Sequence, residues 1–327
     1  MANDLSITSR TVSTNGVELH VVEAGEGFPV VFAHGFPDLS YSWRHQVPAV
    51  AAAGFRAIAP DQRGYGRSSR PEAIEVYDMA HLTDDLLGIL DDIGEERAVF
   101  MGHDWGSMVA WQMSVLHPER TAAVVGMSVP FIPRGDVAPV RMMRQFFAES
   151  FFYIVYFQEP GVADADLAAD PGKTMRRMLG GLAISDAGSP DMAGLAKADG
   201  LGFVDRLPEV QELPAWLSEE ALAHYTAEFT RTGFTGGINW YRNFDRNWEQ
   251  TASLAGAKVT VPSLFITGSA DPVAIMSPTA VMDGWLEDHR GTTVVEGAGH
   301  WVQQEAPDEV NAALLTFLAG LDLGGNR

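Results

Sequence analysis

Residues 98–107 read Ala-Val-Phe-Met-Gly-His-Asp-Trp-Gly-Ser. The apolar run Ala98 to Met101 stops at a glycine, an acid follows two residues later, and a second glycine stands just inside a helix-like stretch. A short, continuous apolar run fits a strand buried on both faces. Trp105 to Leu116 reads as a helix, with Pro118 just past its end. A strand that turns directly into a helix lifts Asp104 clear of the sheet edge. Glycine on either side lets the strained turn pass close to its neighbours.

The pattern repeats outward. Val17 to Ala24 alternates as an early strand does, and Pro29 to Ala33, Arg56 to Pro60, Ala122 to Val129, Val261 to Thr267 and Thr292 to Glu296 are strand-type runs. Asp78 to Leu90 carries Leu82, Leu86, Ile89 and Leu90 on one helical side, and a last helix is expected from Pro307 to about Leu321. Strands alternating with helices predict an α/β fold with a mostly parallel sheet covered on both faces. From about Phe131 to Gly256 no buried strand run occurs, while helix-like stretches such as Ser218 to Thr230 do. The expected organisation is a core of residues 1–130 and 257–327 with a helical cap, 131–256, inserted into it. Asp186 to Leu201, rich in Gly, Ala and Asp, is expected to be a mobile cap loop.

Bulk composition narrows the function classes. The chain has 327 residues, 46% hydrophobic and 20% charged, an ordinary globular balance. A net charge of -21 opposes binding to nucleic acid or anionic membrane surfaces. The absence of cysteine excludes disulfides, thiolate metal sites and cysteine nucleophiles. The start, Met-Ala-Asn-Asp-Leu-Ser, lacks the basic and apolar regions of a secretion signal, so a cytoplasmic enzyme is the expectation. No metal-ligand spacing is found and no cofactor is expected. The oligomeric state is not fixed by these features, and a homodimer is compatible with them.

The turn 102–106 has the small-x-nucleophile-x-small form of a hydrolase elbow, with Asp104 where serine is common. An aspartate before a helix can also be a plain N-cap. Two further segments favour chemistry. Gly268-Ser269-Ala270-Asp271-Pro272 and Gly297-Ala298-Gly299-His300-Trp301 each lie just past a strand, where open parallel sheets gather their reactive groups. The order Asp104, Asp271, His300 is nucleophile, orienting acid, base. His34-Gly35-Phe36-Pro37 follows another buried strand, so backbone N–H groups of Phe36 and Trp105 are expected to hold an oxyanion beside Asp104. A carboxylate attacking a saturated carbon with a leaving group forms an ordinary ester intermediate. Attack on an ester carbonyl would form a labile anhydride, which argues against esterase chemistry.

Together with Asp61-Gln62-Arg63-Gly64-Tyr65-Gly66, Tyr156-Phe157-Gln158-Glu159-Pro160-Gly161 and Gly237-Ile238-Asn239-Trp240-Tyr241-Arg242-Asn243, these segments resemble the epoxide hydrolases of the α/β-hydrolase superfamily. The match is similar over most of the chain to the hydrolase part of soluble epoxide hydrolases. The resemblance implies an α/β-hydrolase fold with a mostly parallel eight-stranded sheet flanked by helices and a helical cap. It implies an epoxide substrate, water as co-substrate and a vicinal diol as product. It also implies two cap tyrosines that grip the epoxide oxygen, assigned by motif to Tyr156 and Tyr241, with Tyr153 and Tyr225 left as packing residues. It further implies a cis bond before Pro37. Asp61 and Arg63 are expected to pair within their loop. The likeness weakens from Pro171 to Pro214, a segment expected to shape one wall of the pocket.

Two other functions share parts of this pattern. A haloalkane dehalogenase uses the same Asp nucleophile and elbow, but its departing halide needs N–H donors and no proton, and Phe36 offers no side-chain donor. A haloacetate dehalogenase needs arginine near its substrate carboxylate, where this chain has Trp105 and Met108. A non-catalytic binder on the same scaffold would need neither nucleophile, base nor acid. The paired cap tyrosines favour the epoxide.

Overall fold

The computed structural model describes residues 6–181, 196–277 and 279–324. Its centre is an eight-stranded sheet in the order β1-β2-β4-β3-β5-β6-β7-β8. The strands are β1 Thr8–Thr14, β2 Val17–Ala24, β3 Pro29–Ala33, β4 Arg56–Pro60, β5 Ala98–His103, β6 Thr121–Met127, β7 Val259–Gly268 and β8 Leu286–Val295. β2 pairs antiparallel with β1 and β4, and every other neighbouring pair is parallel. The continuous apolar runs at β3, β5 and β6 are buried along their whole length. Alternate residues feed opposite faces of the sheet. Val31, Ala33, Phe100 and Val124 join one core, and Val30, Phe32, Val99, Met101 and Val125 join the other. The second core is completed by Val47 and Val50 of α1 (Gln46–Ala52) and by Val310, Leu314 and Phe317 of the C-terminal helix Pro307–Ala319. The first takes Leu82, Leu86 and Ile89 of α2 (Met79–Ile93) and Val109, Ala110 and Met113 of α3 (Trp105–Leu116).

Between β6 and β7 the described residues form helices and no strand, among them Pro139–Phe146, Tyr153–Tyr156, Glu219–Thr232, Thr235–Arg242 and Phe244–Gln250. Specific polar contacts tie these helices to the sheet layer. Asp78 caps α2 by accepting from the His81 N–H at 3.1 Å. Its other oxygen accepts from Arg246 at 2.8 Å and from Gln250 at 2.9 Å, both on the helix Phe244–Gln250. The Trp240 indole donates to the Arg63 carbonyl at 3.1 Å.

Several boundaries differ from the sequence reading. β1 was not anticipated: it is an edge strand of sequence Thr-Ser-Arg-Thr-Val-Ser-Thr with only Val12 buried, so it has no apolar run to reveal it. β8 begins at Leu286, six residues before the apolar stretch, because its first half is an exposed edge. Asp78 and Ser218 are N-caps outside their helices, Ser218 accepting from the Ala221 N–H at 3.1 Å. Asp61 and Arg63 do not pair with one another. Asp61 accepts from His20, the Ser40 N–H and the Arg67 N–H, whereas Arg63 binds Asp85 at 2.6 and 2.8 Å. Of the expected cap loop, residues 186–195 lie outside the described residues. Among the described residues no helix is long and apolar enough to cross a membrane, and no group of three or more His, Asp and Glu side chains could hold a metal ion.

Candidate active site

Asp104 stands between β5 and α3 at φ 53°, a left-handed conformation rarely adopted by a residue with a side chain. Its side chain makes no capping hydrogen bond to α3, which sets aside the plain N-cap. The turn closes only because its glycines have no side chains. A Cβ on Gly106 would collide with the carbonyl of Ala33 at the end of β3, and one on Gly35 would collide with the Asp104 carboxylate itself. That contact brings the loop after β3 onto the acid. Phe36 N–H donates to Asp104 Oδ1 at 2.8 Å, and the Trp105 N–H, next along the turn, also pulls the Asp104 pKa down. The bond between Phe36 and Pro37 is cis. His34 holds this loop from beneath: it is fully buried, its Nδ1 lies 3.0 Å from the Gly35 carbonyl, and its Nε2 accepts from the Gln62 N–H at 3.0 Å. Burial lowers its pKa to about 4, so it is a neutral structural imidazole.

The loops after β7 and β8 bring in the other two groups. His300 Nδ1 lies 3.1 and 3.2 Å from the Asp271 oxygens, and Nε2 is 3.7 Å from Asp104 Oδ2. Asp271 also caps the short helix Pro272–Met276 through the Val273 N–H at 2.8 Å. Glu305 grips both sides of the histidine loop, accepting from the Gly299 N–H at 2.7 Å and the Trp301 N–H at 2.9 Å. Sequence reading did not find Glu305, because nothing in a lone glutamate marks it as a partner of backbone four and six residues away.

The electrostatics couple these groups. Burial alone would lower the pKa of His300. The charge of Asp271 and its hydrogen bond, then the charges of Asp104 and Glu305, outweigh it and raise the pKa to about 9. Burial pushes Asp104 up, against the pull of His300 and the two N–H donors. For Asp271 burial works upward too, but His300 and its hydrogen bond win and the pKa is lowered. The raised His300 pKa favours an imidazolium at neutral pH, paired with Asp271, whose own pKa is lowered. A folded-state pKa raised above the unfolded value of roughly 6.5 means that this histidine stabilises the fold fully below that value. The contribution is lost as pH rises through about 9. Removing the Asp104 charge, as alanine, is expected to lower the His300 pKa, measured by histidine NMR titration. An unmoved titration would contradict the coupling.

The tyrosines fall differently from the motif assignment. Tyr241 is almost fully buried, with its ring edge-on to Trp105 at 5.1 Å and to Phe36 at 5.5 Å. Burial, then the charge of Asp104, then Tyr153 raise its pKa well above the usual phenol value. Tyr156 is not beside it. The Tyr156 hydroxyl donates to Asp166 Oδ2 at 3.2 Å, within the helical stretch between β6 and β7, and its charged neighbours are Asp166 and Arg206, not Asp104. The residue brought to the site is Tyr153, one turn earlier in the same helix. Its ring meets Tyr241 at 5.9 Å, and its pKa is raised by burial and then by the charges of Asp104 and Asp271. Tyr153 and Phe157 share a face as residues i and i+4, while Tyr156 turns away toward Phe151 at 5.2 Å. The motif contains both tyrosines three residues apart, and helical phase against buried Phe157 was the available signal. Tyr225 donates to Asp38 Oδ1 at 2.8 Å, and the Gln304 side-chain amide lies 3.1 Å from its hydroxyl.

A model of the alpha/beta hydrolase fold matches residues 29–307. Epoxide hydrolase A of Mycobacterium tuberculosis is 60% identical over 318 residues, 97% of this chain and 98% of that protein. The crystal structure of epoxide hydrolase A from Mycobacterium thermoresistibile superposes with a TM-score of 0.92 at 57% identity, covering 97% of this chain and 99% of the other. An epoxide hydrolase from an endophytic Streptomyces gives 0.92 at 42% identity, covering 96% of each chain. The chain belongs to the α/β-hydrolase family and, within it, to the epoxide hydrolases.

Proposed function

We propose that the chain hydrolyses an epoxide to a vicinal diol through a covalent ester on Asp104, with Tyr153 and Tyr241 as the acid pair. The observation that carries this reading is the setting of Asp104: one oxygen held by the Phe36 N–H at 2.8 Å, the other 3.7 Å from His300 Nε2, and two high-pKa phenols under its field. The free carboxylate oxygen attacks an epoxide carbon, and the carbon–oxygen bond breaks toward the tyrosines. Phenols whose pKa values are raised stay protonated and donate to the nascent alkoxide. Esterification removes the charge of Asp104, so the imidazolium loosens its proton, which returns through solvent to the phenolate. Neutral His300 then takes a proton from water, and the hydroxide equivalent attacks the ester carbonyl. The Phe36 and Trp105 N–H groups hold the oxyanion. Collapse releases the diol, and the new carboxylic acid of Asp104 gives its proton to the departing alkoxide. Asp271 holds the ring throughout.

Residues 131–256 act as a cap in this scheme, supplying both phenols while the sheet supplies nucleophile, acid and base. A cytoplasmic enzyme on uncharged epoxides fits the net charge of -21. Two phenol donors above one carboxylate suit an alkoxide, which needs a proton, better than a halide, which does not. His300→Ala is expected to consume about one equivalent of styrene oxide and stop, with the adduct on the peptide holding Asp104 by mass spectrometry. A variant showing neither burst nor adduct would point to direct hydration by a histidine-activated water. A chlorinated alkane turned over faster than styrene oxide by the parent would favour the dehalogenase instead.

A further inference from the structure

The segment that ends β6 touches both partners of the reaction. Met127 accepts from the Asp104 N–H through its carbonyl at 3.2 Å, and the next residue, Ser128, donates from Oγ to the His300 carbonyl at 2.7 Å. That carbonyl also lies 2.7 Å from His103 Nε2. Burial lowers the His103 pKa to about 3, so the ring is neutral and its single proton must sit on Nε2 to serve the carbonyl. With Asp271 on the ring and Glu305 on the flanking N–H groups, the two donors fix the carbonyl of a residue whose Nε2 faces Asp104 at 3.7 Å.

Ser128 is in an uncommon state. It is fully buried at φ 65°, where glycine or asparagine is the usual occupant. Its N–H donates to the Ile266 carbonyl of β7 at 2.9 Å, so the conformation is fixed from the sheet side. A glycine would adopt this turn without strain, and the serine differs from it by the one hydroxyl that reaches His300. An observed backbone outlier beside a reactive centre is a reason to look for a role.

We propose that Ser128 is a positioning residue for the second step: its hydroxyl sets the peptide of His300, and so the reach of Nε2 toward the water that hydrolyses the ester. The proposal rests on the two-step reading above. Ring opening uses Asp104 and the tyrosines, none of which Ser128 touches through its side chain. Ester hydrolysis needs the base within a narrow range of place and angle.

Ser128→Gly removes the hydroxyl and keeps the backbone turn accessible. With styrene oxide the variant is expected to form the ester at the parent rate and to hydrolyse it about tenfold more slowly, the worth of one neutral hydrogen bond. Because the slowed step follows ester formation, kcat and KM should fall together with kcat/KM unchanged. Tm should be no lower than the parent's. Ser128→Asn, which tolerates the turn and carries an N–H donor, is expected to recover part of the hydrolysis rate. Unchanged hydrolysis in Ser128→Gly, equal loss in both steps, or a fall in kcat/KM with a lower Tm overturns the proposal. If His300→Ala forms no ester, the two-step reading fails, and the proposal fails with it.

Discussion

Asp104→Ala is expected to lower styrene oxide turnover by about 10⁴-fold or more, the scale seen when a nucleophile is removed from a coupled set. No other carboxylate takes its place: Asp271 is committed to His300 Nδ1 and to capping the helix Pro272–Met276. The loss should be confined to chemistry. The side chain makes no capping bond to α3, and burial of its carboxylate is itself unfavourable. Tm is therefore expected within a few degrees of the parent, with the orphaned Phe36 N–H offsetting the relief. Turnover within tenfold of the parent would end the nucleophile assignment. Alanine is the variant of choice, since asparagine can deamidate back to the acid.

The second large effect is expected at the tyrosines. Tyr153→Phe and Tyr241→Phe should each slow ring opening by roughly 10- to 100-fold, and the double change by about 10³-fold or more, in the range of a lost general acid. Two donors share one oxygen, so their contributions are coupled and the double loss exceeds either single one. Tyr156→Phe is the control. Its hydroxyl is spent on Asp166 in the stretch between β6 and β7, and Asp166 also accepts from the Phe203 N–H at 2.6 Å, so the contact it loses is structural. Ring opening in Tyr156→Phe is expected within about twofold of the parent, since a half-exposed hydrogen bond contributes little. Single-turnover rates of epoxide loss separate the cases. If Tyr156→Phe were the slow variant and Tyr153→Phe the fast one, the structural assignment would be reversed.

Much of this architecture is legible in the chain. Buried parallel strands leave a strong trace because both faces demand apolar residues, which is why β3, β5 and β6 stand out and polar β1 does not. The elbow is legible because its glycines answer to collisions that only the fold creates, as Gly106 against Ala33 illustrates. Asp104, Asp271 and His300 follow from strand ends and chain order, and the structure brings them together. The tyrosine pair is where linear reading falls short. A motif locates a helix, but the face toward the site depends on phase, and two tyrosines three residues apart lie about 60° apart around the axis. Asp61 and Arg63 misled for a related reason: neighbours in sequence had separate partners in His20 and Asp85. Ser128 and Glu305 act through backbone groups of the histidine loop, and such contacts carry no residue-type signature.

The helices carrying Tyr153 and Tyr241 both lie in the stretch between β6 and β7, so the chain leaves and re-enters the sheet layer once around them. Mutation can then act on two inheritances separately. In the proposed mechanism, changes within that stretch would redraw which epoxides fit and which carbon is presented, while the strand-end loops would keep the ester chemistry intact. The cost of this freedom falls on the joints, Asp78 with Arg246 and Gln250 and Trp240 with Arg63, where a drift of either partner would misalign proton donor and nucleophile at once. Lineages diverging in substrate should therefore vary the lining of the stretch sooner than the clasps that seat it.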